Sequence, residues 1–291
     1  MVSVPVKKVA AIHDISGFGR AALSSIIPII SSMGIQVCSV PTAILSTHTG
    51  GFDNYTFIDL TDYMTDYLAH WHELNLDFDC VYTGFLGSIK QIDIISNYIN
   101  KFDKKPLVVI DPVMADDGKL YSTMDQKMVE AMRNFVGLAN IITPNFTEAE
   151  FLLNRKKITS VLSDEELKDW LIELSDLGPE IVIMTSVPHD KKEKKTHVVA
   201  YDKKDNRFWK VECVYIPTQY PGTGDAFTSV LVGSLLQGDS LPMALDRSVQ
   251  FVTAAIRASY GYDYPNRNGV LIEKVLDTLK MPVMVNSYEL F

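Results

Sequence analysis

The feature that most constrains this chain is an alternation of two hydrophobic patterns: short continuous apolar runs, each closed by a glycine, proline or polar residue, separated by stretches with helical spacing. The runs are Val9-Ala-Ala-Ile12, Ile35-Gln-Val-Cys-Ser-Val40, Phe78-Asp-Cys-Val-Tyr-Thr83, Leu107-Val-Val-Ile110, Ile141-Ile-Thr-Pro-Asn145 and Ile181-Val-Ile-Met184. Runs this short and this apolar need cover on both faces, which a strand finds in a parallel sheet sandwiched by helices. The alternation therefore predicts an α/β chain of three layers, α/β/α, with a mostly parallel central sheet. Helices are predicted near Arg20 to Met33, over Thr56 to Asn75 with aromatics on the inner face, over Ser88 to Phe102, from Phe227 to about Ser259 and from Gly269 to Lys280. Ser163 with Glu166 is a capping box opening another. The second strand is expected to end near Val40, because Pro41 to Gly51 is too polar and glycine-rich at its end to continue. After Ser186 the character changes: Thr196 to Tyr201 and Arg207 to Cys213 flank the charged turn Asp202 to Asn206, which predicts an antiparallel hairpin on the sheet's edge. The lysine-rich Asp190 to Lys195 is expected to be a solvated turn.

In a doubly wound sheet, ligands gather beyond the carboxyl ends of the strands, so the residues that close each run are the candidates for chemistry. The first run ends in His13-Asp14-Ile-Ser16-Gly17-Phe-Gly19, where Asp14 and Ser16 are polar contacts for a substrate or parts of a plain turn. After the second come Ser46, Thr47, His48 and Thr49, hydroxyls and an imidazole able to line or cover a pocket. The fourth ends at Asp111, followed by Asp116 and Asp117 beside Gly118, where such sheets place Mg²⁺ and phosphate; Mg²⁺ takes oxygen ligands and keeps several waters. The fifth leads to Asn145 and Glu148, three apart and facing one side of a helical turn. The sixth ends in the hydroxyls of Thr185 and Ser186.

One further stretch organises the rest. Tyr220-Pro-Gly222-Thr223-Gly224-Asp225 precedes a small, apolar helical run, so it reads as a tight glycine turn opening a buried helix. Amides of such a turn, with the positive end of the helix dipole, make a site for a phosphate or a developing oxyanion. Asp225 at its mouth can take a proton from an attacking hydroxyl. The same tetrapeptide also serves as an ordinary helix cap with a first-turn acid.

Composition narrows the field. At 291 residues, with 47% hydrophobic and 22% charged residues, the chain has material for a large core, and α/β units of this length are routinely one domain, here residues 1–291. A net charge of -9 argues against a general nucleic-acid binder. Cys38, Cys80 and Cys213 are far apart and apolar in setting, which suits reduced thiols rather than a disulfide framework or metal site. No apolar run reaches membrane-spanning length and no secretion signal opens the chain, so no membrane partner and a cytoplasmic location are expected.

Taken together and in order, Ser46-Thr-His-Thr-Gly50, Asp111-Pro-Val-Met-Ala-Asp-Asp-Gly-Lys-Leu-Tyr121, Thr143-Pro-Asn-Phe-Thr-Glu-Ala-Glu150 and Gly222-Thr-Gly-Asp225 resemble the pyridoxal kinase family of the ribokinase-like superfamily. The resemblance implies a phosphotransferase moving the γ-phosphoryl of ATP, with Mg²⁺, to the 5′-hydroxymethyl group of pyridoxal, pyridoxamine or pyridoxine. It implies Asp225 as base and Gly222, Thr223 and Gly224 as anion hole. It further implies Asp111, Thr143, Asn145, Thr185 and Ser186 near ATP and its phosphates, and Asp116 and Glu148 near the metal. Asp14, Ser16, Thr47, His48, Thr49 and Phe85 fall on the vitamer side. A homodimer and a K⁺ requirement are also family expectations. The chain departs from the family at Ile12, where many members carry a serine, and at Phe85, where a tyrosine is frequent. The turn Ser16 to Gly19 is closer to the hydroxymethylpyrimidine kinases of the thiamine pathway. Rival readings are that kinase, a sugar or nucleoside kinase of the superfamily, and a non-catalytic pyridoxal phosphate binding protein.

Overall fold

The structure, a computed structural model, describes residues 6–155, 158, 161–188, 195–281 and 288–291. The predicted turn at Asp190 to Lys195 lies, but for Lys195, outside the described residues. In chain order the elements are β1 (Lys8–Phe18), α1 (Leu23–Ser32), β2 (Gln36–Thr47), β3 (Phe57–Asp59), α2 (Thr61–Glu73), β4 (Cys80–Thr83), α3 (Ile89–Asn100) and β5 (Leu107–Ile110). There follow a small hairpin of β6 (Ala115–Asp116) and β7 (Lys119–Leu120), then α4 (Gln126–Phe135), β8 (Ile141–Ile142), α5 (Phe146–Leu152), α6 (Asp164–Ser175) and β9 (Ile181–Val187). The chain closes with β10 (Lys195–Asp202), β11 (Arg207–Val214), α7 (Thr223–Gln237), α8 (Leu241–Tyr260), three short 3-10 segments and β12 (Tyr288–Leu290).

The main sheet has 10 strands in the order β12-β11-β10-β9-β8-β5-β4-β1-β2-β3. Strands β9, β8, β5, β4, β1 and β2 pair in parallel, and antiparallel strands flank them on both sides. The side chains of one strand divide between two cores as the pleat requires. Ala10 and Ile12 join the cluster under α2 to α6, whereas Val9 and Ala11 join the one under α1, α7 and α8. Burial on both faces is why these strands carry uninterrupted apolar runs. Strand order reverses beside β1, which neighbours both β2 and β4, so a crevice opens at the carboxyl ends of these strands.

Several expectations are corrected. β1 and β2 run 11 and 12 residues, well past Ile12 and Val40. After an irregularity between His13 and Ile15 they remain paired from Ile15 with Ile44 to Phe18 with Thr47. Polar residues are carried here as strand because each backbone has a partner, a condition that local composition does not reveal. The predicted Thr56 to Asn75 helix begins only at Thr61, after β3, and its inner face is Thr61, Met64 and Leu68. Tyr63 and Tyr67 on the same helix are exposed. The hairpin of β10 and β11 is present, but β12 pairs outside it with β11, so it is not the edge. The Ser163 capping box forms as read, with Ser163 Oγ accepting from Glu166 N–H and a Glu166 carboxylate oxygen accepting from Ser163 N–H.

Candidate active site

The turn before α7 forms because Gly222 adopts φ 81°, a left-handed conformation, and because it lacks a side chain. A Cβ there would lie 2.0 Å from the carbonyl oxygen of Arg20. Thr223 Oγ1 donates to the Tyr220 carbonyl at 3.2 Å, and Gly222, Thr223, Gly224 and Asp225 all line a cleft of about 590 Å³. Asp225 is half-buried in the wall of that cleft, and its Oδ2 accepts the Ala22 N–H at 2.8 Å. Burial pushes the Asp225 carboxyl up to about 6, with the Ala22 amide holding it back.

The carboxyl ends of β5, β8 and β9 supply the opposite wall. Asp111, buried at the end of β5, faces the turn closely enough that a Cβ on Gly224 would be 4.0 Å from its Oδ2. Burial and then the neighbouring Asp225 charge raise the Asp111 carboxyl well above the usual range, while the Thr143 hydroxyl pulls the other way. Thr143, beyond β8, in turn accepts from Thr228 Oγ1 of α7 at 3.1 Å. Glu148 is a capping-box partner for α5: its two oxygens accept the Asn145 N–H at 2.8 Å and the Met114 N–H at 3.2 Å. Burial and the charge of Asp111 push Glu148 upward too. Asn145 Nδ2 donates to the Ala115 carbonyl at 2.8 Å, tying α5 to the small hairpin that carries Asp116. Thr185 and Ser186 line the same cleft at the end of β9, Ser186 with φ 56°.

Among the described residues no three His, Cys, Asp or Glu side chains converge as a closed metal cage. A hydrated Mg²⁺ does not need one, since it is held by one or two carboxylates and keeps its waters. Asp111 and Glu148 fit that role, because both are buried, the charge of Asp225 raises Asp111 and the charge of Asp111 raises Glu148, and a divalent cation bound beside them would favour their ionised forms.

The residues read as the vitamer side form a second group, outside the cleft wall but joined to it in two places. Asp14 is buried, accepts from Ser16 Oγ at 3.4 Å, and is pushed up to about 7 by burial and then by the charge of Asp225. His48 is buried; its Nδ1 accepts the Gly50 N–H at 3.1 Å, so Nε2 carries the proton. Burial lowers its pKa, partly offset by the Arg267 carbonyl, so the ring is a neutral donor. A Cβ on Gly50 would lie 3.1 Å from Pro221 Cγ, which places the Thr49 loop directly against the glycine turn. Thr47 Oγ1 is buried without a hydrogen-bond partner among the described residues, and Thr49 is half-buried. Phe85 is not brought into the cleft wall: it packs half-buried against the core beneath α2 to α6, and its carbonyl accepts from Thr42 Oγ1 at 3.1 Å.

Sequence reasoning missed three contributors. Tyr121 lines the cleft, its hydroxyl pushed upward by burial and by Glu148, Asp116, Asp111 and Asp225. The β6–β7 hairpin turns at Asp117 and Gly118, with φ 50° and 73°, and this Asp-Gly pair was a legible hairpin signal. Val249, Val252 and Ile256 of α8 close the cleft with an apolar wall that nothing in the helical pattern distinguishes from core.

A parallel α/β sheet whose strand ends meet a glycine turn and a half-buried acid is an architecture suited to phosphoryl transfer. A family model described as phosphomethylpyrimidine kinase matches residues 21–269. The chain belongs to that family, which also takes in pyridoxal kinases, and the match makes the protein a kinase that transfers phosphate to a hydroxyl group. A pyridoxal kinase of Arabidopsis thaliana is 30% identical over 273 residues, covering 86% of this chain and 83% of that protein. The thiamine biosynthesis bifunctional protein ThiED of Geobacter sulfurreducens is 27% identical over 248 residues, 82% of this chain and 47% of that one. Among solved structures, a Bacteroides thetaiotaomicron protein described as a candidate phosphomethylpyrimidine kinase, crystallised with pyridoxal, superposes with a TM-score of 0.94 at 53% identity. That match covers 98% of this chain and 100% of that one. Pyridoxal kinase from Lactobacillus plantarum matches at a TM-score of 0.86 and 29% identity, over 95% of this chain and 97% of that one. The resemblance read from the motifs and the mostly parallel three-layer fold are both borne out. Among the described residues no helix is long and apolar enough to cross a membrane.

Proposed function

We propose that this protein phosphorylates the 5′-hydroxymethyl group of a B6 vitamer with ATP. The observation that carries the reading is the position of Asp225, whose carboxylate belongs to the wall of the large cleft and also repels Asp14 on the vitamer side. A base for phosphoryl transfer has to reach a nucleotide's terminal phosphate and an acceptor hydroxyl at once. The pyridoxal-containing Bacteroides structure and the Arabidopsis pyridoxal kinase support the vitamer as acceptor.

ATP lies in the cleft, its triphosphate toward Thr143, Asn145, Thr185 and Ser186. The amides of Gly222, Thr223 and Gly224 receive the transferring phosphoryl group as charge develops on its oxygens. The Ala22 N–H occupies Oδ2 of Asp225 and leaves Oδ1 for the substrate hydroxyl. As the O–P bond forms and the bond to the β-phosphate oxygen breaks, the hydroxyl proton passes to Asp225 and ADP leaves. Asp111, with Glu148 and Asp116 nearby, would hold Mg²⁺, which when bound would supply charge neutralisation for the phosphates. His48 Nε2–H and the hydroxyls of Thr47 and Thr49 offer donors to a pyridine substituent, with Asp14 and Ser16 opposite.

The family model and the Geobacter ThiED relative favour a second reading, a hydroxymethylpyrimidine kinase with the same chemistry. A coupled assay of ADP release over pyridoxal, pyridoxamine, pyridoxine and hydroxymethylpyrimidine separates the two. A vitamer should show the highest kcat/KM; preference for the pyrimidine would replace the proposal. Asp225→Asn should lower kcat by roughly 10²–10⁴-fold, as removal of a general base does. Near-native turnover by that variant would refute the assignment of the base.

A further inference from the structure

The segment between β1 and α1, Gly19 to Ala22, passes between the two groups of site residues and touches both. A Cβ on Gly19 would lie 2.4 Å from His48 Cδ2, and the Arg20 carbonyl is the atom against which Gly222 packs. Ala22 has φ 49° and ψ -139°, a conformation an alanine adopts only where its surroundings over-determine it. In that conformation its N–H reaches Asp225, while its carbonyl accepts from Ser25 and Ile26 N–H to start α1. Something must hold the strap on its other side.

Arg20 does so. Its Nε donates to both carboxylate oxygens of Glu273 at 2.8 Å, and its Nη1 donates to Tyr264 Oη at 2.7 Å and to the Asn268 carbonyl at 3.3 Å. Its backbone N–H reaches the same Asn268 carbonyl at 3.2 Å. Tyr264 Oη in turn donates to the Gly269 carbonyl, and Gly269 must lack a side chain here, since a Cβ would be 2.8 Å from Arg20 Cβ. The guanidinium is thus bound at three separate points of the 264–273 segment. Charge-assisted bonds from a planar fork of fixed geometry suit this task, which a single flexible ammonium would not perform.

We propose that Arg20 is a positioning residue for Asp225: by clamping the Gly19 to Ala22 strap to Tyr264, Asn268 and Glu273, it aims the Ala22 N–H at Oδ2 and so presents Oδ1 to the acceptor hydroxyl. The inference rests on Asp225 being the base. It gives the Arg20 network, some of it solvent-exposed, a role in turnover that a mere tether of the carboxyl-terminal segment would not have.

The test is a cycle of four proteins: the native chain, Arg20→Ala, Asp225→Asn and the double variant. Each is assayed with ATP and pyridoxal for kcat and both KM values, residual turnover being followed by transfer of radiolabelled phosphate, and each is melted thermally. Loosening the base by about an ångström should lower kcat of Arg20→Ala roughly 10- to 100-fold, with KM for ATP changed less than about twofold. In the Asp225→Asn background, where no base remains to be aimed, the same substitution should change kcat less than about twofold, since residues acting as one unit are non-additive. An equal loss in both backgrounds, an unchanged kcat, or a rise in KM with kcat intact would overturn the clamp. Full activity of Asp225→Asn by itself would instead remove the base assignment on which the clamp rests. Should Arg20→Ala fail to fold, Tyr264→Phe, which deletes one acceptor of the guanidinium, takes its place. It should show a smaller loss that likewise vanishes beside Asp225→Asn, and a loss persisting there would count against the proposal.

Discussion

Replacing Gly222 by alanine tests the glycine turn most directly, because two separate penalties can be worked out from the structure. The first is conformational: at φ 81° an L-residue is forced into the left-handed region, which costs about 1–2 kcal/mol. The second is steric. The new Cβ would sit 2.0 Å from the Arg20 carbonyl oxygen, whereas ordinary contact begins at 3.4 Å, so more than an ångström must be opened against backbone rather than a pliable side chain. Overpacking of this kind costs about 1–3 kcal/mol more, for a total of ~2–5 kcal/mol. Gly238 at the other end of α7 is the internal control: it has φ 96°, but a Cβ there would meet nothing within 4 Å among the described residues. Gly238→Ala should therefore lose only the conformational part, about 1–2 kcal/mol. Urea denaturation of the two variants measures the difference, and a coupled ADP-release assay reads the chemistry. Shifting the Gly222 amide by about an ångström should lower kcat on the order of 10²-fold, while Gly238→Ala should leave it unchanged. If both variants lose equal stability and Gly222→Ala keeps its turnover, the close approach of turn and strap is not what holds the anion site.

Three further outcomes follow from the same geometry. The Asp225 carboxyl is pushed up to about 6 by burial, and only its ionised form takes a proton, so kcat should fall about tenfold per unit as pH drops below about 6 and level off above it; a flat profile from pH 5 to 8 would contradict the assignment. A carboxyl whose pKa is raised in the folded state opposes folding at pH values above its unfolded value of 3.8, with the full penalty present above about 6. Asp225→Asn, although much slower in turnover, should therefore be more stable at pH 8 by ~1–2 kcal/mol, allowing for partial contact with water, and thermal melts should show the advantage shrinking at pH 5. Ser163→Ala removes the cap of α6, a helix none of whose residues lines the cleft, and should cost about 1 kcal/mol in urea without altering kcat.

Much of the layered fold was legible because burial on both faces leaves a mark in composition. The Leu107 to Ile110 run could be placed residue for residue, since a strand covered by helices above and below has no polar alternative. The Ser163 capping box was legible for a local reason as well: both of its hydrogen bonds close within four residues of chain. Asp111 was legible at a strand end, Glu148 on a helical turn and Asp225 beside the glycine turn, although the repulsion among them was not. Nothing in Asp111, Glu148 or Asp225 taken singly indicates that Asp225 raises Asp111 and Asp111 raises Glu148, because that depends on distances across β5, α5 and α7.

What the sequence determined by itself was the alternation of buried strands and helices, the glycine turn before Asp225 and the polar groups closing each strand. All of these are set by contacts within a few residues or by the requirement to leave water. The tertiary structure decided how far β1 and β2 run, where Phe85 packs, that Gly222 needs its missing side chain because of Arg20, and that Ala22 reaches Asp225. Each of these joins segments up to some two hundred residues apart in the chain, as with the Ala22 N–H and Asp225 pair at a separation of 203. Such contacts exist only once the sheet has ordered its strands, and no local pattern encodes them.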